Sequence, residues 1–181
     1  MSAASLTIRG AGPQDAQAIR SLHRRAFGGE RIPRLLDDLL AAKAAIAPIS
    51  LVAAEGENVV GHVLLSAARL DAPPRLIDVV TLSPLAVEEA FRGQGIGTRL
   101  IEGALAHADA LRIPLVFLEG SPGYYSTRGF ERASTLGFRS PSLRIPDAAF
   151  QVARLSAYEP WMTGSFVYSE TFWAHDCVGL R

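Results

Sequence analysis

Cysteine is nearly absent from the chain, whose 181 residues contain a single one at position 177. One cysteine excludes an intramolecular disulfide and a cysteine-based metal cluster, and it is consistent with a reducing compartment. The first residues lack the apolar core of a signal peptide, and no apolar run approaches the ~20 residues that a membrane span needs. We therefore predict a cytoplasmic protein that uses no metal and does not associate with membranes.

An excess of charge of either sign is also absent, because 18 basic and 18 acidic side chains give a formal net charge of zero. Such a chain has no overall field that would attract it to nucleic acid. Its composition, 49% hydrophobic and 20% charged, is that of an ordinary globular protein, and its length fits one domain with a sizeable core. The prediction is a single domain over residues 1–181 with no nucleic-acid partner.

What the sequence does contain is a series of apolar segments separated by turn residues. Helical spacing predicts helices from Pro13 and from about Ile32, a third after the glycines described below, and a short one between Ser121 as N-cap and Gly129. Strand patterns lie at residues 6–9, 51–54, 59–67, 77–87 and 115–119, with weaker ones near 137–139 and 149–157. The order of these elements favours a mixed α/β sheet flanked by helices.

Two features interrupt the strand patterns. Residues 71–75, with the sequence DAPPR, are predicted to form a loop. Pro84 lies inside the longest strand pattern, and because proline cannot donate to a sheet ladder, pairing should fail on one side of the strand near it.

Three glycines at every second position, Gly93, Gly95 and Gly97, separate that strand pattern from the next helical pattern. Glycine in the first turn of a helix costs roughly 1 kcal/mol relative to alanine, so helix propensity is lost here. A strand, a glycine turn and a helix form an anion-binding geometry, because the first helical amides lack partners and glycine lets an anion approach the backbone. The alternative is that the glycines only form a tight turn.

The glycine spacing narrows the choice of phosphate ligand. A P-loop is excluded because no Gly-Lys-Ser/Thr follows, and a dinucleotide fingerprint would require a third glycine where Thr98 stands. Glu119 does fall near the distance of a ribose-binding acid, which keeps a dinucleotide-dependent enzyme open, although no further strand–helix–strand alternation follows it. The other candidate is a ligand with a pyrophosphate and a long arm that lies along the preceding strand.

Two short motifs resemble those of the GCN5-related N-acetyltransferases. The R/Q-x-x-G-x-G/A motif of that family is matched by Arg92, Gly93, Gln94, Gly95, Ile96 and Gly97. Residues 125–130, YSTRGF, resemble its Y-x-x-x-G-F motif, and the flanking sequences PLAV and PGYY are similar to the YhbS-like branch of predicted N-acetyltransferases. The resemblance covers about residues 80–140 and implies acetyl-CoA as co-substrate, with a primary amine of unknown identity as acceptor.

The resemblance also implies a fold and a cofactor site. The fold is a strongly bent mixed sheet that splits into a V between the fourth and fifth strands, with the pantetheine arm in the V. The backbone of Leu85, Ala86 and Val87 would bind pantetheine, the amides from Arg92 to Thr98 would bind the pyrophosphate, and the Val87 amide would also stabilise the oxyanion. A homodimer is compatible with the sequence.

The expected chemistry needs a base and an acid. An unperturbed amine with a pKa near 10.4 is mostly protonated at neutral pH, so attack on a thioester needs a base. Glu119, at the end of the strand beside the V, is the candidate base; its alternative role is a solvated acid or a charge partner for arginine. Tyr125, in the tyrosine position of Y-x-x-x-G-F, is the candidate acid for the leaving thiolate; its alternative role, like that of Tyr124, is a core aromatic.

Two further expectations complete the sequence-based interpretation. The four histidines are predicted not to cluster, with His23 on a helix surface and His62 in the core. Besides a transferase and a dinucleotide-dependent enzyme, a non-catalytic acyl-CoA-binding or sensing module stays open, because such a module would retain the glycine turn while Glu119 and Tyr125 had no chemical role.

Overall fold

The structure is a computed structural model that describes residues 5–179. Its α-helices are α1 Ala16–Phe27, α2 Arg31–Ala41, α3 Ile96–Ala110, α4 Pro122–Tyr125 and α5 Glu170–Ala174. Its strands are β1 Leu6–Gly10, β2 Ile49–Glu55, β3 Asn58–Ala72, β4 Arg75–Val87, β5 Leu115–Glu119, β6 Glu131–Arg132, β7 Phe138–Arg139, β8 Phe150–Arg154 and β9 Gly164–Val167. None of the helices in this range is long and apolar enough to cross a bilayer.

All nine strands belong to one mixed sheet, which confirms the predicted fold class. The main order is β1-β2-β3-β4-β5-β8-β6, and only the β4–β5 contact is parallel along this path. The first half of β3 pairs with β2, whereas residues 69–71 of β3 pair with β9, which in turn pairs with β7. Because β3 changes neighbour along its length, the sheet bends rather than forming one flat layer.

The sheet splits between β4 and β5, as expected from the resemblance. The two strands pair only at Val80 with Val116 and at Thr81 with Phe117, where the Thr81 hydroxyl also donates to the Phe117 carbonyl at 3.1 Å. Beyond Thr81, β4 continues for six residues with β3 as its sole strand partner, and its register shifts at the segment that contains Pro84. The predicted loss of pairing near Pro84 is therefore confirmed, and it leaves one edge of β4 open.

Side chains that alternate along β5 divide the core into two layers. Val116 and Leu118 pack in the layer that contains α3, whereas Leu115 and Phe117 pack in the layer that contains α1, α2 and α5. The gap between β4 and β5 therefore opens from one layer of helices to the other, and we call its two mouths the α3 side and the α1/α2 side.

Several sequence-based predictions need correction. The predicted loop at 71–75 is reduced to a turn at Pro73 and Pro74, because the long hairpin of β3 and β4 extends to Ala72 and Arg75. Ser121 precedes α4 as expected, but its side chain makes no cap; its carbonyl accepts the Tyr124 and Tyr125 amides at 3.1 Å. Strand β9 and helix α5 were not predicted at all, since both are short and lack a clear period.

Candidate functional site

A cleft of about 670 Å³ lies on the α3 side of the gap. It is bounded by the end of β4, the glycine turn, the first turn of α3 and helix α4 with the residues that follow it. Its lining includes most of the residues predicted to bind the cofactor, namely Leu85, Ala86, Val87, Arg92, Gly93, Gly95, Ile96, Gly97 and Thr98, and it includes Tyr125. The exposed Gln94 lies in the turn between them.

The end of β4 offers backbone groups to this cleft at every second residue. The Glu88 amide donates to Val60 of β3 at 2.8 Å, and Ala86 pairs with His62 in the same register. Because hydrogen-bonding direction alternates along an antiparallel strand, the amides of Leu85 and Val87 point away from β3 toward the gap, while that of Ala86 is directed toward β3. Leu85 and Val87 are therefore the two residues whose backbone is available to an extended ligand arm.

The glycine turn has the geometry of an anion site. Gly93 and Gly95 have φ values of 75° and 77°, a left-handed conformation that other residues adopt only with strain, and a Cβ at either would meet only open space. Arg99 is the first residue of α3 whose amide donates to the carbonyl four residues earlier, that of Gly95, at 3.0 Å. The amides just before Arg99 are not used by the helical ladder and can bind an anion.

Gly97 has a structural role that was not predicted from the sequence. It is buried, and a Cβ at this position would overlap the hydroxyl of Tyr124, with the next ring atom of Tyr124 at 3.5 Å. The Tyr124 ring cannot easily move, because it packs against the Tyr125 ring at 4.9 Å and beneath the Arg128 guanidinium at 3.7 Å. Glycine at position 97 thus accommodates Tyr124, which lines the cleft and also packs against the core layer that contains α3.

Arg128 brings a positive charge to the first turn of α3. Its Nε donates to the Thr98 hydroxyl at 2.9 Å, and its Nη1 donates to the Tyr124 carbonyl. These contacts, together with the stacking on Tyr124, fix the guanidinium at the wall of the cleft. On the opposite side of the turn, Arg92 donates to the Val87 carbonyl at 3.2 Å. The cleft therefore combines free amides with two arginine side chains, a suitable environment for phosphate groups.

Tyr125 lies on the α3 side, where its ring packs edge-on against Phe130 at 5.7 Å. The ring also fills the space beside Gly120, since a Cβ there would overlap it. Burial raises the pKa of Tyr125 to about 12, with a smaller contribution from Tyr124. The phenol is therefore protonated throughout the neutral range and can act as a hydrogen-bond donor or an acid, but not as a base.

Glu119 lines a second, smaller cavity of about 210 Å³ on the α1/α2 side. Its carboxylate accepts the Tyr168 hydroxyl at 2.8 Å and the Gly179 amide at 3.1 Å and 3.0 Å. Burial raises the pKa of Glu119, and these two hydrogen bonds oppose that rise. Besides Glu119, the cavity is lined by Phe27, Arg31, Ile32, Leu35, Ser83, Tyr168, Asp176, Cys177 and Gly179.

The two residues predicted to carry proton transfer thus lie on opposite faces of the sheet. Phe117 and Glu119 point to one side of β5, whereas Leu118 and Gly120, with Tyr125, face the other. Phe27 lines both cavities and lies at the junction between them. A reacting group in the gap between β4 and β5 would therefore have a carboxylate on one side and a phenol on the other.

The histidine prediction was wrong for His23. This residue is fully buried, and its Nε2 lies 2.8 Å from Nδ1 of His62, whose other ring nitrogen lies 2.9 Å from the Ser50 hydroxyl. Burial lowers the pKa of His23 to about 3 and that of His62 to about 4. His23 also stacks on Phe27 at 5.8 Å, so this neutral pair supports the residue that lines both cavities.

Tyr168, Gly179 and Phe27 were not identified from the sequence as site residues. Each lies outside the glycine motif and the Y-x-x-x-G-F motif, and only the fold brings them beside Glu119. Spacing along the chain carried no signal that could have identified them. Among the residues that the structure describes, no group of three or more histidine, cysteine or acidic side chains is arranged to hold a metal ion.

Known proteins share both the sequence and the architecture. Residues 7–133 match the family model described as an acetyltransferase (GNAT) domain. The chain is 34% identical over 158 residues to the uncharacterized N-acetyltransferase YjhQ of Escherichia coli K12, a match that covers 83% of this chain and 84% of YjhQ.

Two solved structures are similar over nearly their whole length. The crystal structure of YhbS from Escherichia coli in complex with CoA matches with a TM-score of 0.83 and 31% identity, over 95% of this chain and 94% of YhbS. A GNAT family acetyltransferase from Brucella melitensis, in complex with acetyl-CoA, matches with a TM-score of 0.70 and 29% identity, over 93% and 99% of the two chains.

Proposed function

The chain belongs to the GNAT acetyltransferase family, and from this premise we propose that it transfers the acetyl group of acetyl-CoA to a primary amine, which attacks the thioester directly. The observation that carries the proposal is the gap between β4 and β5, with a cleft lined by free amides on one side of the sheet and a cavity that holds a carboxylate on the other. The CoA and acetyl-CoA in the structures of the two relatives support the choice of co-substrate.

The α3 side binds the co-substrate in this proposal. The amides of residues 93–98 hold the pyrophosphate, whereas the Arg92 amide, which was predicted to do the same, already donates to the Glu89 carbonyl at 3.2 Å. The positive end of α3 adds to the attraction of these amides. The pantetheine arm extends along β4, where the amides of Leu85 and Val87 pair with it as a neighbouring strand would. The Val87 amide also serves as the fixed donor for the negative charge that develops on the thioester carbonyl oxygen.

The acceptor enters from the α1/α2 side. An acceptor ammonium loses its proton to Glu119, directly or through water, and the neutral nitrogen attacks the carbonyl carbon. Burial raises the pKa of Glu119 toward the neutral range, and a base is most effective when its pKa lies near the working pH. The cavity volume of about 210 Å³ favours a small amine or a narrow amine-bearing side chain over a bulky acceptor.

The reaction ends with the departure of CoA. The C–S bond breaks as the amide forms, and Tyr125 gives its hydroxyl proton to the thiolate sulfur. The attacking nitrogen loses its remaining excess proton to solvent as the amide forms, and solvent returns a proton to the Tyr125 phenolate. Because the pKa of Tyr125 is raised to about 12, the phenol is always protonated before the reaction, but it is a weak acid. We therefore expect moderate help from Tyr125, since a thiolate is already a fair leaving group.

Ligand-dependent stabilisation followed by turnover tests this proposal. Acetyl-CoA at about 100 times its dissociation constant should raise the free energy of unfolding by about 2.7 kcal/mol, whereas NAD and NADP should leave it unchanged. Release of free thiol should then appear with at least one member of a broad panel of amines. Stabilisation by NAD instead would support a dinucleotide-dependent enzyme, and acetyl-CoA binding without turnover on any amine would support an acyl-CoA-sensing module.

A further inference from the structure

Tyr168 is the side chain that the structure brings against the carboxylate of Glu119. It follows β9, its ring is buried, and it packs against Phe166 and Phe172 with centroids at 4.8 Å in each case. The ring stands edge-on to Phe166 and tilted to Phe172, so its direction is fixed by aromatic packing on two sides. Its hydroxyl donates to Oε1 of Glu119 at 2.8 Å.

The backbone amide of Gly179 is the second donor to the Glu119 carboxylate. The Gly179 amide donates to both carboxylate oxygens of Glu119, at 3.1 Å and 3.0 Å. A carboxylate can accept about four hydrogen bonds, so these contacts leave capacity on Oε2 for a further donor, such as an acceptor amine or water. Two donors remote from Glu119 in sequence thus hold the carboxylate.

Other charged and titratable groups surround the same cavity. They are Arg31 at the start of α2, Arg144 in the loop before β8, and Asp176 and Cys177 after α5. Arg144 pairs with Asp176 at 3.3 Å, which reduces the influence of both charges on Glu119. Among these groups it is Tyr168 whose side chain donates a hydrogen bond to Glu119, and its phenol keeps its proton because burial raises its pKa well above 10.

We propose that Tyr168 is a positioning residue, which fixes the orientation of the Glu119 carboxylate toward the gap between β4 and β5 and favours its ionised form. This inference rests on the proposed function, in which Glu119 is the base. A hydrogen bond to the charged form of an acid stabilises that form, so Tyr168 opposes the effect of burial. Strand β9 and the chain after it are then part of the active site, although no motif marks them.

The test uses two measurements on Tyr168→Phe, which keeps the ring and its packing and removes the hydroxyl. Carbon-13 NMR of the Glu119 carboxyl carbon, assigned by its loss in Glu119→Gln, should show the pKa rising by about one unit. The acid limb of kcat/KM for an amine found in the panel should move to higher pH by the same amount. Acetyl-CoA affinity should stay unchanged, because Tyr168 lies outside the cofactor cleft.

Tyr158→Phe is the matched control. Tyr158 stacks beneath Arg154 at 5.6 Å, away from the Glu119 cavity, and its loss of a hydroxyl should change neither measurement. An NMR pKa that is unchanged in Tyr168→Phe would overturn the positioning role while leaving the proposed function intact. An NMR pKa that rises while the kinetic limb stays fixed would overturn both the role of Glu119 as base and the role of Tyr168.

Discussion

The two sides of the gap between β4 and β5 differ in whether backbone groups or side chains form the site. The α3 side offers backbone groups, the amides of β4 and of the glycine turn, and nearly all of its lining comes from residues 85–98 and 124–128. The α1/α2 side offers side chains, and its lining comes from α1, α2, β4, β5 and the segment after β9. A site built from backbone constrains a short stretch of sequence, whereas one built from side chains can be assembled from anywhere in the chain.

This difference explains how far the sequence predicted the site. The glycine turn was identified correctly because left-handed φ values at Gly93 and Gly95 restrict the residue type, and the YhbS-like resemblance rested on the same stretch. Tyr168 and Phe27 could not be identified, since many residue types would satisfy their local backbone. The contact between Gly97 and Tyr124 was not predicted, because the ring that Gly97 accommodates comes from a separate element.

For the fold as well, features marked by a short stretch of sequence were predicted and long-range contacts were not. The bent sheet and its split were expected from the family resemblance, and Pro84 marks the loss of strand pairing locally in the sequence. The burial of His23 was not predicted, since its polar ring is tolerated in the core only through its contact with His62, which is distant in sequence. The periodicity of apolar residues along a chain does not reveal long-range pairs of this kind.

The largest expected effect lies on the α1/α2 side. Glu119→Gln should lower the rate near neutral pH by about 10²–10⁴-fold, because the acceptor amine loses its base. Activity should partly return at higher pH, where more of the amine is free, and acetyl-CoA affinity should not change. A pH–rate profile measured beside that of Glu102→Gln, an exposed change on α3, provides the comparison. An acid limb that is the same in Glu119→Gln and the unmodified protein would remove Glu119 from the mechanism.

Acidification should lower the free energy of unfolding of the protein, because two buried imidazoles lie on the α1/α2 side. The pKa values of His23 and His62 are lowered in the folded state to about 3 and about 4, so the unfolded chain binds more protons below its own value of 6.5. The contribution of the two neutral imidazoles to the free energy of unfolding is therefore fully present above about pH 6.5. It falls as the pH decreases, by roughly 2 kcal/mol for each imidazole between pH 7 and pH 5. Urea unfolding at both pH values measures this loss.

The control for acidification is the double variant His23→Gln/His62→Gln. It keeps hydrogen-bonding side chains at both positions but removes the titrating rings, so its stability should depend much less on pH over the same interval. Equal pH dependence in the double variant and the unmodified protein would mean that other groups cause the loss.

On the α3 side the expected catalytic effect is smaller. Tyr125→Phe should lower kcat by about 10²-fold with little change in acetyl-CoA affinity, because the hydroxyl acts mainly in the transition state. Tyr124→Phe, which lines the same cleft, should be nearly silent in kcat. The opposite result, loss in Tyr124→Phe and full activity in Tyr125→Phe, would shift the acid assignment by one residue. Full activity in both would mean that the thiolate leaves without help from either phenol.

The smallest expected effect is a loss of acetyl-CoA affinity when a side chain is added at Gly97. Gly97→Ala should weaken acetyl-CoA binding by about tenfold, or 1.4 kcal/mol, because the new methyl group overlaps the Tyr124 hydroxyl and displaces the ring. Adding Tyr124→Phe should restore most of the affinity, since the nearest remaining ring atom lies at an ordinary contact distance of 3.5 Å. Calorimetric titration of the two single variants and the double variant measures the coupling; additive effects would contradict the proposed overlap.

The account rests on the gap between β4 and β5 as the place where two substrates from opposite faces meet, and a crystal structure with bound acetyl-CoA tests this most directly. We expect the pyrophosphate within hydrogen-bonding distance of the amides of residues 93–98 and the pantetheine arm beside Leu85 and Val87. The acetyl group should lie in the gap, open to the Glu119 cavity. An arm that runs outside the gap, or an acetyl group separated from Glu119 by the closed sheet, would contradict the account.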